Sequence, residues 1–235
     1  MSWWQSLFAT PPRLSASQHE ALAAFRALPK CDVNCTIESQ RFIVVDVEST
    51  GLNLSTDKLI AIGAVAVGAD AVLLDQGFET VLQQHAPSSV DNILIHGIDG
   101  TTQTTGIEPA EALLGFLAYI GNAPLVAYHA AFDRSMIATA TKTFLGVKIG
   151  NPWIDLAYVA PALYPELAKQ SKHQRSLDEW TAEFGITNMN RHNAIADALA
   201  TAQLLLVLLA RAKQQTGGRL RDLIQTEKAQ QWLSR

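Results

Sequence analysis

"FIVVDVESTGLN", residues 42–53, runs a β-branched apolar stretch into two acids and then into a glycine. Side chains two apart on a strand share a face, so Asp46 and Glu48 are expected to project together. Carboxylates held side by side at the end of a strand that reads as buried repel each other unless something positive lies between them. A solvated strand end is one reading of the pair, and the rest of the chain decides whether it has a further reason.

Working outward, "KLIAIGAVAV" (58–67) reads as a second strand, apolar on both faces, and a third is expected over about 71–82 after a tight turn at Gly68–Asp70. These three suit an antiparallel meander. "TTQTTGIEPAEALLGFLAYIG" passes from polar loop to a helix near 108–120, "PLVAYH" (124–129) is a short buried strand, and "AAFDRSMIATATKTF" continues it as a helix. "SLDEWTAEFG" (176–185) predicts a helix capped by Ser176 and stopped at Gly185. From Asn193 to about Lys213 runs one long helix, apolar nearly all round at 204–209, which implies deep burial or a partner helix. Gly217 and Gly218 end it, and "RLRDLIQTEKAQQWL" (219–233) follows as an amphipathic helix with Leu220, Leu223, Ile224 and Leu233 inward. Ahead of the first strand, Ser17 and Glu20 have capping-box spacing, and Ala21, Leu22, Phe25 and Leu28 form the stripe of a short helix ending near Pro29.

Three antiparallel strands followed by alternating helices and strands predict an α/β architecture, a mixed sheet flanked by helices. The expected organisation is an N-terminal helical extension (1–40), a main domain (41–213) and a C-terminal helix (214–235) packing on that domain or on a partner.

Composition narrows the function classes. With 48% hydrophobic and 17% charged residues in 235, the chain is a folded protein, and one large domain with terminal additions is expected. A net charge of −4 and a pI near 5.8 argue against a broad basic surface gripping duplex nucleic acid. They leave room for a nucleic-acid enzyme whose site is local and metal-mediated. Cys31 and Cys35 suggest no disulfide framework, and their spacing lacks a second ligand pair for zinc. "MSWWQSLFATPP" at the start has no positive n-region, and "LLLVLLA" (204–210) is too short an apolar run to span a bilayer, so a cytoplasmic protein is expected.

Further acids fall at element ends beside apolar residues. Asp133 closes "YHAAFD" (128–133) in the first turn of a helix, where the helix dipole alone favours an acid. Asp197 lies among alanines early in the long helix, in "RHNAIADALATAQLL" (191–205), and suits either a ligand or a buried partner for an arginine.

Together these acids resemble the DnaQ-like exonucleases, the DEDDh group of the ribonuclease H-like superfamily, which includes polymerase proofreading subunits. The first motif is "DVESTGL" (46–52), the second "YHAAFD", and the third spans His192 to Asp197 as "HNAIAD". "IHGI" (95–98) matches a segment that the family often carries between the third strand and the next helix. The likeness covers roughly residues 41–210 and departs at Tyr128-His129, where the family commonly has His-Asn.

The resemblance implies that Asp46, Glu48, Asp133 and Asp197 bind two divalent cations, Mg2+ or Mn2+, and that His192 deprotonates the attacking water. Two such ions about 3.5–4 Å apart stabilise both entering and leaving oxygens of an in-line displacement at phosphorus, and carboxylates supply the hard oxygen ligands. The paired acids are then an unfavourable cluster when empty and a clamp when filled. Imidazole suits proton transfer near neutrality. Five residues along a helix turn about 500°, so His192 is expected at or before the helix start, free to move toward the acids. By the same resemblance, backbone at Thr50 and the Leu52 side chain hold the 3′-terminal nucleotide. Gly51 allows close approach of backbone to substrate. His96 and Phe132 are candidates for the nucleotide pocket, and Phe132 suits the core equally well.

The expected function is therefore 3′→5′ exonuclease action on single-stranded or frayed DNA 3′ ends. The same chemistry on RNA or short oligonucleotides is the near alternative, and a non-catalytic polymerase-associated scaffold is the alternative from another class. "SWWQSLF" (2–8) reads as packing onto the domain, with a looser echo of a clamp-binding peptide from Gln5. The termini and the 204–209 stretch are the candidate surfaces for a homodimer, and a polymerase or a clamp is the candidate partner.

Overall fold

The computed structural model describes residues 13–68, 70–188 and 190–234, so "SWWQSLF" lies outside the described residues. The meander is present as β1 (Phe42–Ser49), β2 (Leu59–Val67) and β3 (Val72–Val81), antiparallel throughout. Two short strands, β4 (Leu125–Ala127) and β5 (Trp153–Asp155), extend the sheet in parallel with β1, giving the order β3-β2-β1-β4-β5. This is the expected mixed α/β sheet.

Alternation along β1 decides which layer each residue meets. Ile43, Val45 and Val47 face a core built with α4 (Pro109–Ile120), α5 (Ala131–Leu145) and Leu22 of α1 (Ala16–Arg26). Phe42 and Val44 face the opposite core, formed by α6 (Leu156–Leu163), α8 (Leu177–Glu183), α9 (Ala194–Gln215) and α10 (Leu220–Leu233). Asp46 and Glu48 have the parity of Phe42 and Val44 and so turn toward α9. Leu204, Leu205, Leu208 and Leu209 of α9 are buried in that core, which accounts for its apolar stretch.

Several expectations are corrected. The helix α1 is capped by Ser15 and Gln18, a capping box two residues earlier than the Ser17–Glu20 spacing suggested. Helices α2 (Val90–His96) and α3 (Gly100–Thr104), together with β5, α6 and α7 (Pro165–Ala168), form in segments for which the sequence led to no expected element. In α10, Leu220 and Leu223 are buried as expected, but Leu233 is 70% exposed because the helix outruns the core it packs on. That helix is fastened at its start, where the Leu220 and Arg221 N–H groups donate to Cys35 and Val33 carbonyls at 3.2 and 2.8 Å. Cys31 and Cys35 are free, and burial followed by the neighbouring Cys35 pushes the Cys31 thiol up to about 11.

Candidate active site

The site lies where β1 ends and α9 begins. Asp46 and Glu48 come from alternate positions of β1, and Asp197 from the first turn of α9, which Asn193 caps by accepting from the Ala196 N–H at 3.1 Å. One carboxylate oxygen from each of these three acids lies within 4.8 Å of the others, although Glu48 and Asp197 stand 149 positions apart in the sequence. Asp133 stands beside this group rather than within it. It is buried in the first turn of α5, where its own N–H and that of Val47 favour its ionised form.

Burial and, for Asp46 and Glu48, crowding of like charge show in the proton affinities. Burial, then Asp133, Asp197 and Glu48, hold the Asp46 carboxyl well above its ordinary value. Glu48 is pushed up to about 8 by burial and by Asp197 and Asp133. Burial drives Asp133 up to about 7. The Arg191 guanidinium pulls the other way on both Asp46 and Glu48. A compact set of hard oxygen ligands, in which burial and acidic neighbours raise Asp46 and Glu48, fits divalent cations, which remove the repulsion on binding.

Asp197 already has partners. Its Oδ1 accepts from Arg191 Nη1 at 2.5 Å and from Asn188 Nδ2, and its Oδ2 accepts the His192 backbone N–H at 2.9 Å. Both readings of Asp197, acid-cluster member and arginine partner, are thus realised in one side chain. His192 is exposed, sits one residue before the Asn193 cap and has φ 60°, a left-handed conformation uncommon outside glycine. It lies off the helix, as the rotation argument expects.

The turn after β1 is tightly organised. Asp57 accepts from the Asn53 N–H at 2.7 Å and from Thr50 Oγ1 at 3.1 Å, and its carboxylate fills the space above Gly51, 2.6 Å from where a Cβ would stand. The Thr50 N–H donates to the Lys58 carbonyl at 3.0 Å, so that amide serves the turn and is not open to a nucleotide. Leu52 is 85% exposed beside it.

His96 is buried, with Nδ1 accepting the Ile98 N–H and Nε2 bonded to Asn92 Oδ1, both at 2.9 Å. Asn92 in turn donates to the Ser49 carbonyl at 3.0 Å. Both ring nitrogens are engaged within the protein, so His96 braces α2 against the end of β1 and offers no free ring nitrogen to a nucleotide. Phe132 is half-buried against the α4–α5 core. His129, also left-handed at φ 63°, donates its N–H to Asp155 Oδ1 at 3.0 Å, and the same oxygen accepts the Ala157 N–H at 3.0 Å to cap α6. Tyr128 donates its hydroxyl to the Arg175 carbonyl. The Tyr-His pair at the second motif is thereby tied into the frame.

Arg191, Asn188 and Asp155 did not emerge from the sequence reading. Arg191 carried a signal in being a cation immediately before the third motif, whereas the other two act through contacts that no local pattern encodes.

The family profile described as Exonuclease (RNase_T) matches residues 43–205. The PolC-type DNA polymerase III of Bacillus subtilis is 34% identical over 179 residues, 76% of this chain, and that of Listeria monocytogenes is 32% identical over 184, 78% of it. This chain spans only 12% of the length of either polymerase. Among solved structures, Escherichia coli exonuclease I in complex with a dT13 oligonucleotide shares the fold at a TM-score of 0.62, with 18% identity, 75% of this chain and 42% of the other covered. Exonuclease X in complex with 5′-overhanging duplex DNA aligns at 0.58, with 18% identity, covering 79% of this chain and 99% of that one. With the profile covering well over half of the sequence, the chain belongs to the Exonuclease (RNase_T) family.

Proposed function

We propose that this protein is a metal-dependent 3′→5′ exonuclease that releases nucleoside monophosphates from single-stranded or frayed DNA 3′ ends. The observation that carries the reading is the approach of Asp46, Glu48 and Asp197 to within 4.8 Å, with buried Asp133 beside them. Bound divalent cations would supply Lewis-acid stabilisation of the entering and leaving oxygens of an in-line displacement. Asp46, Glu48 and Asp197 are the ligands the geometry favours, and Asp133 completes the set from the α5 side.

His192 takes the proton of the attacking water. Its exposed side chain and its place off the helix suit a base that reaches the acids from the rim. Leu52 covers the terminal base, and the turn fastened by Asp57 holds Leu52 in place. The PolC-type relatives and the dT13 complex of exonuclease I support DNA over RNA as the polymer and a replication setting.

A 3′-labelled single-stranded DNA incubated with Mg2+ or Mn2+ should release labelled mononucleotide, and Asp46→Ala should abolish release. Equal inertness of the two proteins would support the non-catalytic scaffold instead. A matched RNA oligonucleotide degraded faster than the DNA would move the assignment to an exoribonuclease.

A further inference from the structure

We propose that Arg191 is a built-in counter-cation of this acidic site, holding Asp197 while no divalent ion is bound and surrendering it to the incoming ion while Asp178 keeps the guanidinium on the rim. The proposal rests on the metal-dependent reading above and adds a residue that tunes how tightly the ions bind.

Three observations carry it. The first is saturation of Asp197. Oδ1 accepts from both Arg191 Nη1, at 2.5 Å, and Asn188 Nδ2, and Oδ2 accepts the His192 N–H at 2.9 Å. A carboxylate offers about four lone-pair sites, so only one is left for an ion. The second is position. Arg191 follows Asn190 and precedes His192 in the segment just before the Asn193 cap, where it is paired with Asp197 and its charge also reaches Asp46 and Glu48. An ion coordinated at about 2.0–2.1 Å by these oxygens would face a guanidinium in the same small volume. Like charges that close oppose each other strongly where water is partly excluded.

The third is a second anchor. Arg191 Nε donates to Asp178 Oδ1 at 2.8 Å, and Asp178 stands in the first turn of α8 with its side chain 58% exposed. The guanidinium can therefore leave Asp197 without losing its ionic partner. Arg191 is one-third exposed, which leaves it room to move outward. Its planar fork spans both carboxylates at once. Arg191 acts on the reaction through Asp197, and it is a positioning residue rather than a catalytic one.

The test is Mn2+ binding without nucleic acid, read from the electron paramagnetic resonance signal of free Mn2+ at fixed pH and ionic strength. Arg191→Gln should bind Mn2+ roughly ten-fold more tightly than wild type, because one opposing charge is gone, while Arg191→Lys should stay near wild type. An Arg191→Gln protein that binds no more tightly than wild type overturns the proposal. A wild-type measurement covers the case in which Arg191→Gln fails to fold. The Arg191 Nε–H resonance, assigned by its loss in Arg191→Lys, should move as diamagnetic Mg2+ saturates the site, and a stationary resonance at saturation overturns the exchange. Asp46→Asn separates the two readings. If it binds Mn2+ as wild type does, the acidic cluster is not the metal site and the nuclease assignment fails, whatever Arg191 does.

Discussion

Gly63 lies directly opposite Asp46 across the β1–β2 ladder, and the space where its side chain would be is filled by the backbone of α9. A Cβ there would stand 2.3 Å from the Ala194 carbonyl carbon and from the Ile195 nitrogen. No flexible side chain can yield at that contact. The absence of a single methyl group therefore lets the helix carrying Asp197 come down onto the strand carrying Asp46 and Glu48.

Gly63→Ala should consequently push the start of α9 off the sheet. The expected cost is about 3 kcal/mol of stability, at the upper end of overpacked cores, read as a lowered denaturation midpoint. Mn2+ affinity should fall at least roughly ten-fold in whatever remains folded, since carboxylates moved apart no longer share an ion. Gly77→Ala on the exposed face of β3 is the control. Its nearest neighbour would be 3.9 Å away, and its stability should change by less than about 0.5 kcal/mol.

The raised carboxyl groups make the ion-free protein sensitive to base. Glu48 moves from 4.5 to about 8, Asp133 from 3.8 to about 7, and Asp46 moves in the same direction. A carboxyl whose folded value exceeds its unfolded one contributes stability in full below the unfolded value and loses it as pH rises through the folded value. In the presence of a chelator, the melting temperature should fall as pH rises from about 5 to 9, most steeply at about 5–7, where the folded groups keep protons the unfolded chain has lost, and level off above about 8. Added Mg2+ or Mn2+ should reverse the loss at the alkaline end, where the ligands are free of protons. Asp46→Asn should melt higher than wild type at pH 8 without ions, although it cannot turn over substrate. A flat melting profile between those limits would show that the acids do not repel one another in the folded protein.

How legible this site was depended on how local its determinants are. Asp46 and Glu48 were readable because period-two alternation is a property of any strand, and the three motifs placed Asp133, His192 and Asp197 on the right elements. Ser176 was readable as a cap because a cap is set by residues three apart. Gly63 was not, although a lone glycine in "KLIAIGAVAV" marks a close backbone approach, because nothing nearby says what approaches. Short β5 was illegible because three residues carry no period and only pairing with β4 makes it a strand, and α6 because Pro161 stands inside it. His96 looked like a nucleotide contact from its motif, and only the positions of Asn92 and Ile98 show that both its nitrogens are engaged.

His192 should separate chemistry from ion binding. Its backbone N–H supports Asp197, whereas its side chain is exposed and makes no hydrogen bond to the acids. His192→Ala retains the N–H and should leave Mn2+ affinity within about three-fold of wild type. The rate of mononucleotide release should fall by about 10²- to 10⁴-fold, the usual contribution of a positioned general base. Loss of Mn2+ binding in parallel with activity would make the residue structural instead.

Gly51 and Asp57 should behave as a coupled pair. The Asp57 carboxylate occupies the space above Gly51 while bonding the Asn53 N–H and the Thr50 hydroxyl, so the turn that presents Leu52 is built around it. Asp57→Ala removes those bonds and should raise KM for a single-stranded 3′ end several-fold with kcat little changed, because the loss falls on substrate placement. Gly51→Ala sets a methyl group 2.6 Å from an Asp57 oxygen and should displace the turn in the same way. Joining Gly51→Ala with Asp57→Gly opens the occupied space, so the double variant should be less impaired than the sum of the two singles. Residues in contact commonly show interaction energies of about 0.5–3 kcal/mol, and a coupling in that range is expected here. Strict additivity in kcat/KM would mean that Gly51 is required by the substrate itself, as close backbone approach would demand, and not by the carboxylate beneath which it sits.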